Sequence, residues 1–255
     1  MGVSNLRNAS HGDAPDAFIE QRIDLACAFR WAFRLDMHES VANHFSLAVS
    51  DDGARFLINP DARHFSRIRA SELLLVDANN RETLQRPGAP DPTAWGLHGA
   101  MHRNCLHARC VLHAHPAYAT VLASLADSTM YPIDQNTARF FKRVVVDEDF
   151  AGMAFEEEGE RCSRLLGDKR IMLMGNHGVL VAAPSVAQAF DDLYYFERAA
   201  RNLVLAYSTG KELRVLSDEV AETTSGQWEN YTNGADKHFS ELKAILDEEE
   251  PDYRT

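Results

Sequence analysis

Basic residues are outnumbered in this sequence: 26 Lys and Arg stand against 38 Asp and Glu, a formal net charge of −12 over 255 residues. A nucleic-acid partner needs a basic face that displaces counterions from phosphates, so none is expected. Long apolar runs are missing too. Nothing approaches the roughly 18 to 20 apolar residues of a membrane-crossing helix, and no membrane partner is expected. Cysteine is sparse: Cys27, Cys105, Cys110 and Cys162 form no CxxC pair and do not suggest a disulfide framework. The first twenty residues lack the apolar stretch of a secretory signal. A reduced, cytoplasmic setting is the resulting expectation. Low complexity is absent as well, since 45% hydrophobic and 25% charged residues are ordinary globular values.

What is present alternates between helical and strand patterning. Residues 1–16 are polar, with Gly, Pro and Asn, and read as a flexible arm. No linker or repeat divides the rest, so 17–255 reads as one domain with a helical tail. Residues 17–35 place Ile19, Ile23, Cys27 and Trp31 at helical spacing. The segments 44–50 and 55–60 read as strands around an Asp51-Asp52-Gly53 turn, with a third strand in 71–81. Thr93 is the expected cap of a helix reaching His107. RCVLHAH (109–115) is a buried strand closed by Pro116, with a helix following to Leu125. Helices are expected at 134–143 and 155–166, and strands at IMLM and VLVAA around the turn 175–178. Ser185 with Gln188 opens a helix to about Ser208, and a last helix covers 235–248. Mixed elements without strict βαβ alternation point to a largely antiparallel sheet covered by helices.

The histidines carry the chemistry. In CVLHAHP, His113 and His115 are two apart on a strand and point to one face. Such a pair suits zinc, iron or manganese; hydrogen bonding inside the sheet is the alternative. In MGNHGVLV, His177 sits in a tight turn flanked by Gly175 and Gly178. The three together give the ligand count of an open catalytic metal site. A rival pair, His98 and His102, shares one helix face, but Gly99 stands where HExxH needs an acid. Packing against the sheet is the competing reading there. Cys105 and Cys110 read as packing residues. Arg63, Arg67 and Arg69 either meet a substrate carboxylate or lie on a solvated loop. Tyr253, near the tail, is a candidate to close over a site.

DPTAWGLHGAMHRNCLHARCVLHAHPAYATVLASL and IMLMGNHGVLVAAPSVAQAFDDLYYFERAARNLVLA together resemble the class II aldolase/adducin family, and the likeness extends over roughly residues 17–253. Members include L-fuculose-1-phosphate aldolase and L-ribulose-5-phosphate 4-epimerase. The resemblance implies an α/β fold, a three-layer α/β/α sandwich around a central, mainly antiparallel sheet. It implies a divalent metal on His113, His115 and His177, zinc ahead of manganese or iron. It implies a homotetramer with sites between neighbouring subunits and a small-molecule substrate. Asn43, His44, Asn59 and Thr93 are the substrate-binding residues that it suggests.

Two departures matter. The aldolases' catalytic acid, at the start of the helix before HxH, falls on Ala94. Their phosphate cradle of GN, TG and SS pairs falls on Asn43-His44, Asp61-Ala62 and Pro92-Thr93. An inward Asp61 carboxylate would repel a phosphate dianion. The chain thus looks closer to an adducin-like bacterial branch that keeps the histidines and drops the acid. The expected function is a metal-dependent lyase, aldolase-like or a decarboxylase. Its substrate is a small hydroxy- or oxo-acid or a carbohydrate derivative, cleaved through a metal-stabilised enolate. Decarboxylation needs less proton machinery and suits the missing acid better. His44 is the first candidate proton donor, with Tyr131, His98 or water as alternatives. An Fe(II)-dependent oxygenase on the same histidines and a non-catalytic adducin-like binding module are the competing functions.

Overall fold

The computed structural model describes residues 17–149, 156–231 and 233–255, so the expected arm at 1–16 lies outside the described residues. Seven strands form one sheet: β1 (His44–Ala48), β2 (Arg55–Ile58), β3 (Leu74–Asp77), β4 (Cys110–Ala114), β5 (Val144–Asp147), β6 (Ile171–Met174) and β7 (Gly178–Ala183). Their order is β3-β2-β1-β4-β7-β6-β5, antiparallel apart from the β5–β6 pair. The helices are α1 (Ile19–Arg34), α2 (Pro92–Asn104), α3 (Ala117–Ala123), α4 (Gln135–Ala138), α5 (Glu156–Leu166), α6 (Val186–Ser208), α7 (Asp218–Glu229) and α8 (Gly234–Glu249).

The strands' period of two sorts the sheet into two faces. Phe45, Leu47, Leu112, Val179 and Val181 enter the main core with α1, α3, α6 and α8. Val111, Leu180 and Ala182 turn the other way, toward Met101 and Cys105 at the end of α2 and Cys162 of α5. His44, Ser46 and His113 share that second face by alternation. Helices on both sides make the α/β/α sandwich that the sequence led us to expect. No helix among the described residues is long and apolar enough to cross a membrane. All four cysteines are buried and unpaired, as packing residues should be.

Local chemistry shifts several boundaries. Asp91, not Thr93, caps α2: its Oδ1 accepts from the Thr93 and Ala94 amides at 2.8 and 3.0 Å. Pro92, which has no amide to offer, fills the first helical position. The helix stops at Asn104 instead of running to His107. The expected helix at 134–143 is a single turn, α4, and the β-branched run after it is β5, which sequence reading missed. α7 is likewise an addition. Tyr253 is fully buried in the main core, and its hydroxyl donates to Asp247 Oδ1 at 2.8 Å. It anchors the tail and is not a lid.

Candidate metal centre

The site forms where β4 ends and the β6–β7 turn returns beside it. Asn176 takes a left-handed φ of 54° in that turn, a conformation that asparagine tolerates. The flanking glycines are demanded by space. A Cβ on Gly175 would stand 2.6 Å from the Asp147 carbonyl oxygen. The turn thus presses His177 against the end of β4. Candidate ligand nitrogens of His113, His115 and His177 all lie within 4.8 Å of one another. Nε2 of His113 and Nε2 of His115 are 3.2 Å apart. The His177 ring centroid is 4.8 Å from each of the other two.

This donor set fits a divalent ion. Nitrogens bound about 2.1 Å from one ion stand roughly 3–4 Å apart, so little adjustment closes the set. His113 Nδ1 donates to the Val179 carbonyl at 3.2 Å, which leaves its Nε2 lone pair for the cluster. Burial holds His113 well below the usual imidazole range. Burial, aided by the nearby His177, pushes His115 down to about 4. Burial also lowers His177, against the pull of Asp147. All three are therefore neutral near neutral pH, the form that ligates. No carboxylate joins this group among the described residues. Ala94 is instead buried with Phe56, Ile58, Val76 and Trp95.

A second set of imidazoles lies against the first. His44 pairs with His113 across the β1–β4 ladder, with ring centroids 4.9 Å apart. Its Nδ1 is 2.7 Å from His98 Nε2. His98 Nδ1 contacts the Ser46 hydroxyl, which is 2.7 Å from His102 Nε2. His102 Nδ1 is 2.6 Å from the Ala108 carbonyl oxygen. The helical pair thus bonds to the sheet and is not a second metal site.

A model of the Class II Aldolase and Adducin N-terminal domain matches residues 23–204. The chain belongs to this family. Among class II aldolase/adducin relatives, an adducin-related protein of Schizosaccharomyces pombe is 26% identical, over 98% of this chain and 81% of its own length. The decarboxylase NovR of Streptomyces niveus is 25% identical, over 94% and 90%. The crystal structure of an aldolase II superfamily protein from Pseudomonas syringae matches with a TM-score of 0.84 at 28% identity, covering 97% of this chain and 98% of that one.

The other candidate residues of this class II aldolase/adducin chain divide. Asn43 is buried, accepts from the Glu39 amide at 2.5 Å, and leaves its Nδ2 without a partner among the described residues. Asn59 is engaged with backbone at both ends: it accepts from Phe45 N at 3.2 Å and donates to Asn43 O at 3.3 Å. Its role is to tie β1 to β2. The Thr93 hydroxyl donates to Asp91. The Tyr131 hydroxyl donates to Asp127 Oδ2 at 2.9 Å. Arg63 pairs with Glu72, Arg69 pairs with Asp252, and Arg67 is exposed, which favours the loop reading. Asp61 is exposed as well.

Two supports were not anticipated. Glu197 of α6 accepts from the Tyr118 and Ala119 amides at 3.0 and 2.8 Å and so caps α3, the helix that follows His115. Its partners are 79 and 78 residues away in sequence, so no local signal marks it. Asp147 is clamped by Arg161 at 2.6 and 2.7 Å, and its carbonyl accepts from Gly175 N at 2.8 Å under the His177 turn. A cavity of about 740 Å³ opens elsewhere, at the opposite end of β6 and β7. Arg139 and Arg170 on its wall are already paired with Asp192. The histidines make the better case for chemistry.

Proposed function

We propose that this chain is a metal-dependent carbon–carbon lyase acting on a small hydroxy- or oxo-acid, with 17–255 as its catalytic domain. The observation that carries the reading is the convergence of three neutral imidazoles at one sheet end. His113, His115 and His177 would hold the ion. Zinc is the first choice because three imidazoles with an open fourth position match its catalytic sites. When bound there, the ion supplies Lewis-acid stabilisation of negative charge on substrate oxygens.

The chain's own residues do the rest. His113 is held in its ligating tautomer by the Val179 carbonyl. Asn43 Nδ2, buried without a partner among the described residues, is a donor for a substrate oxygen. His44, beside His113, handles the proton that the family's acid would handle from the place of Ala94. The Asp91 carboxylate at the start of α2 disfavours a phosphate dianion there. Likeness to a decarboxylase supports loss of carbon dioxide as one form of the cleavage. His115 and His177 are only half-buried, which suits a homotetramer whose sites are completed between subunits, and the four unpaired cysteines suit a reducing, cytoplasmic setting.

The test is metal analysis of the purified chain, then assay of the metal-loaded chain against 2-hydroxy- and 2-oxo-acids. Chelator-sensitive release of carbon dioxide or an aldehyde is expected, with His113→Ala removing both metal and turnover. Absence of bound metal would leave the binding-module reading, and dioxygen consumption would favour the oxygenase.

A further inference from the structure

The contacts from His44 to Ala108 form one unbroken chain, and its polarity is set at one end. A carbonyl oxygen only accepts, so His102 Nδ1 carries the proton in the 2.6 Å contact with Ala108. His102 Nε2 is then a lone pair, and the Ser46 hydroxyl donates to it across 2.7 Å. That uses the single proton of Ser46, so its oxygen must accept from His98 Nδ1. His98 Nε2 is then a lone pair in turn, and His44 Nδ1 donates to it across 2.7 Å. Each step follows from the one before, because a hydroxyl has one proton and a neutral imidazole has one N–H. All four side chains are buried, which keeps the three rings neutral in the resting state.

We infer that Ser46, His98 and His102 are positioning residues: anchored on the Ala108 carbonyl, they lock His44 with its proton on Nδ1 and a bare Nε2, so that His44 accepts a proton from a hydroxyl-bearing substrate. The role as substrate base rests on the three-histidine metal reading above; the locked tautomer does not. It also reverses the direction expected from sequence, where His44 was a donor. A bare Nε2 must receive a proton before it can return one. The matching cleavage is of the aldol type. The hydroxyl proton passes to His44 Nε2 as the carbon–carbon bond breaks and the hydroxyl carbon becomes a carbonyl. The bonding pair stays on the other fragment, and His44 then returns the same proton to that fragment's carbon. Atoms and charge balance without an oxidant, and the relay ends as it began. A 3-hydroxy acid qualifies; a 2-oxo acid without a hydroxyl does not.

The experiment is ring-nitrogen NMR of the full chain with isotope-labelled histidine, metal-free and zinc-loaded. We expect His44, His98 and His102 each to show a protonated Nδ1 and a bare Nε2. In Ser46→Ala, His102 should keep this state while His98 and His44 become tautomer mixtures. Ser46→Thr, which restores the hydroxyl, should bring back the single form. A merely structural serine would move none of these signals selectively. A proton on His44 Nε2 in the unmodified chain would overturn the inference, as would an unchanged His44 in folded Ser46→Ala. If Ser46→Ala does not fold, the unmodified chain still decides. Failure to bind zinc with the tautomers intact would remove the metal reading and leave the relay. For the substrate role, turnover of 3-hydroxy acids with at least tenfold loss of kcat in Ser46→Ala is expected. Turnover confined to acids lacking a hydroxyl would overturn it.

Discussion

Gly178 lies so close to His115 that a single methyl on it would stand 2.5 Å from the imidazole Cδ2, and 2.7 Å from the Ala114 carbonyl oxygen. The carbonyl is backbone of β4, so relieving both contacts takes a small shift of the start of β7 away from β4 together with a displaced His115 ring. Gly178→Ala should therefore fold but bind zinc about 10- to 100-fold more weakly, the usual cost of disturbing a ligand's support. Competition with a chromophoric chelator measures this. Gly226→Ala, with nothing within 4 Å of the added methyl, is the control. Equal affinity in the two variants would contradict the argument.

Glu197 reaches the amides of Tyr118 and Ala119 from a different helix. Removing it leaves two helix-start donors unsatisfied. Glu197→Ala should destabilise the metal-free chain by about 1–2 kcal/mol, the range for lost caps. That is roughly 2–8 °C in Tm for a chain of this size. Glu197→Gln keeps an acceptor and should lose less. Differential scanning calorimetry of the two variants provides the comparison.

Burial holds both His44 and His102 at about 4, below the ordinary 6.5. The unfolded chain therefore takes up protons first as pH falls. The stability contributed by the neutral rings is complete above about pH 6.5 and is lost as pH falls toward 4. Each ring accounts for about 3 kcal/mol over that window. Urea unfolding of the metal-free chain from about pH 7.5 down to about 4.5 should show falling midpoints. His102→Gln should give a shallower fall, and a midpoint that rose toward acid would be the wrong sign.

Most of the fold was legible because alternation and turn chemistry are local. The seven-residue pattern around His113 and the glycine-bounded turn at His177 announced their own strands. β5 was not legible, since a short β-branched run after a helical stretch looks like its continuation until β6 pairs with it. The site divided in the same way. His113, His115 and His177 stand in motifs, and the structure gathers them. Ser46 stands in no motif: its importance comes from sharing a face with His44 and from α2 laying His98 and His102 over it. Asn59 and Thr93 were suggested as binding residues by the family resemblance, and a resemblance does not show which partners a side-chain amide or hydroxyl takes within the chain. Here one is engaged with backbone groups and the other with Asp91.

Ala94 makes the activity itself testable. A general acid or base typically contributes 10²–10⁴-fold, so a class II site without its carboxylate should cleave sugar phosphates feebly. Asp91, the cap of α2, adds repulsion for a phosphate dianion. Assays of the zinc-loaded chain with fuculose 1-phosphate and ribulose 5-phosphate should therefore show no robust turnover. Ala94→Glu is not expected to restore it. Ala94 packs with Phe56, Ile58, Val76 and Trp95, so a glutamate there meets an apolar wall. Its carboxyl would be raised by desolvation, and the chain would lose about 1–3 kcal/mol from overpacking alone. A lower Tm without sugar-phosphate cleavage is the expected pair of results. Robust turnover by the unmodified chain would show that the missing acid has a substitute. Turnover in Ala94→Glu alone would show instead that the carboxylate reaches the histidine cluster despite its apolar surroundings.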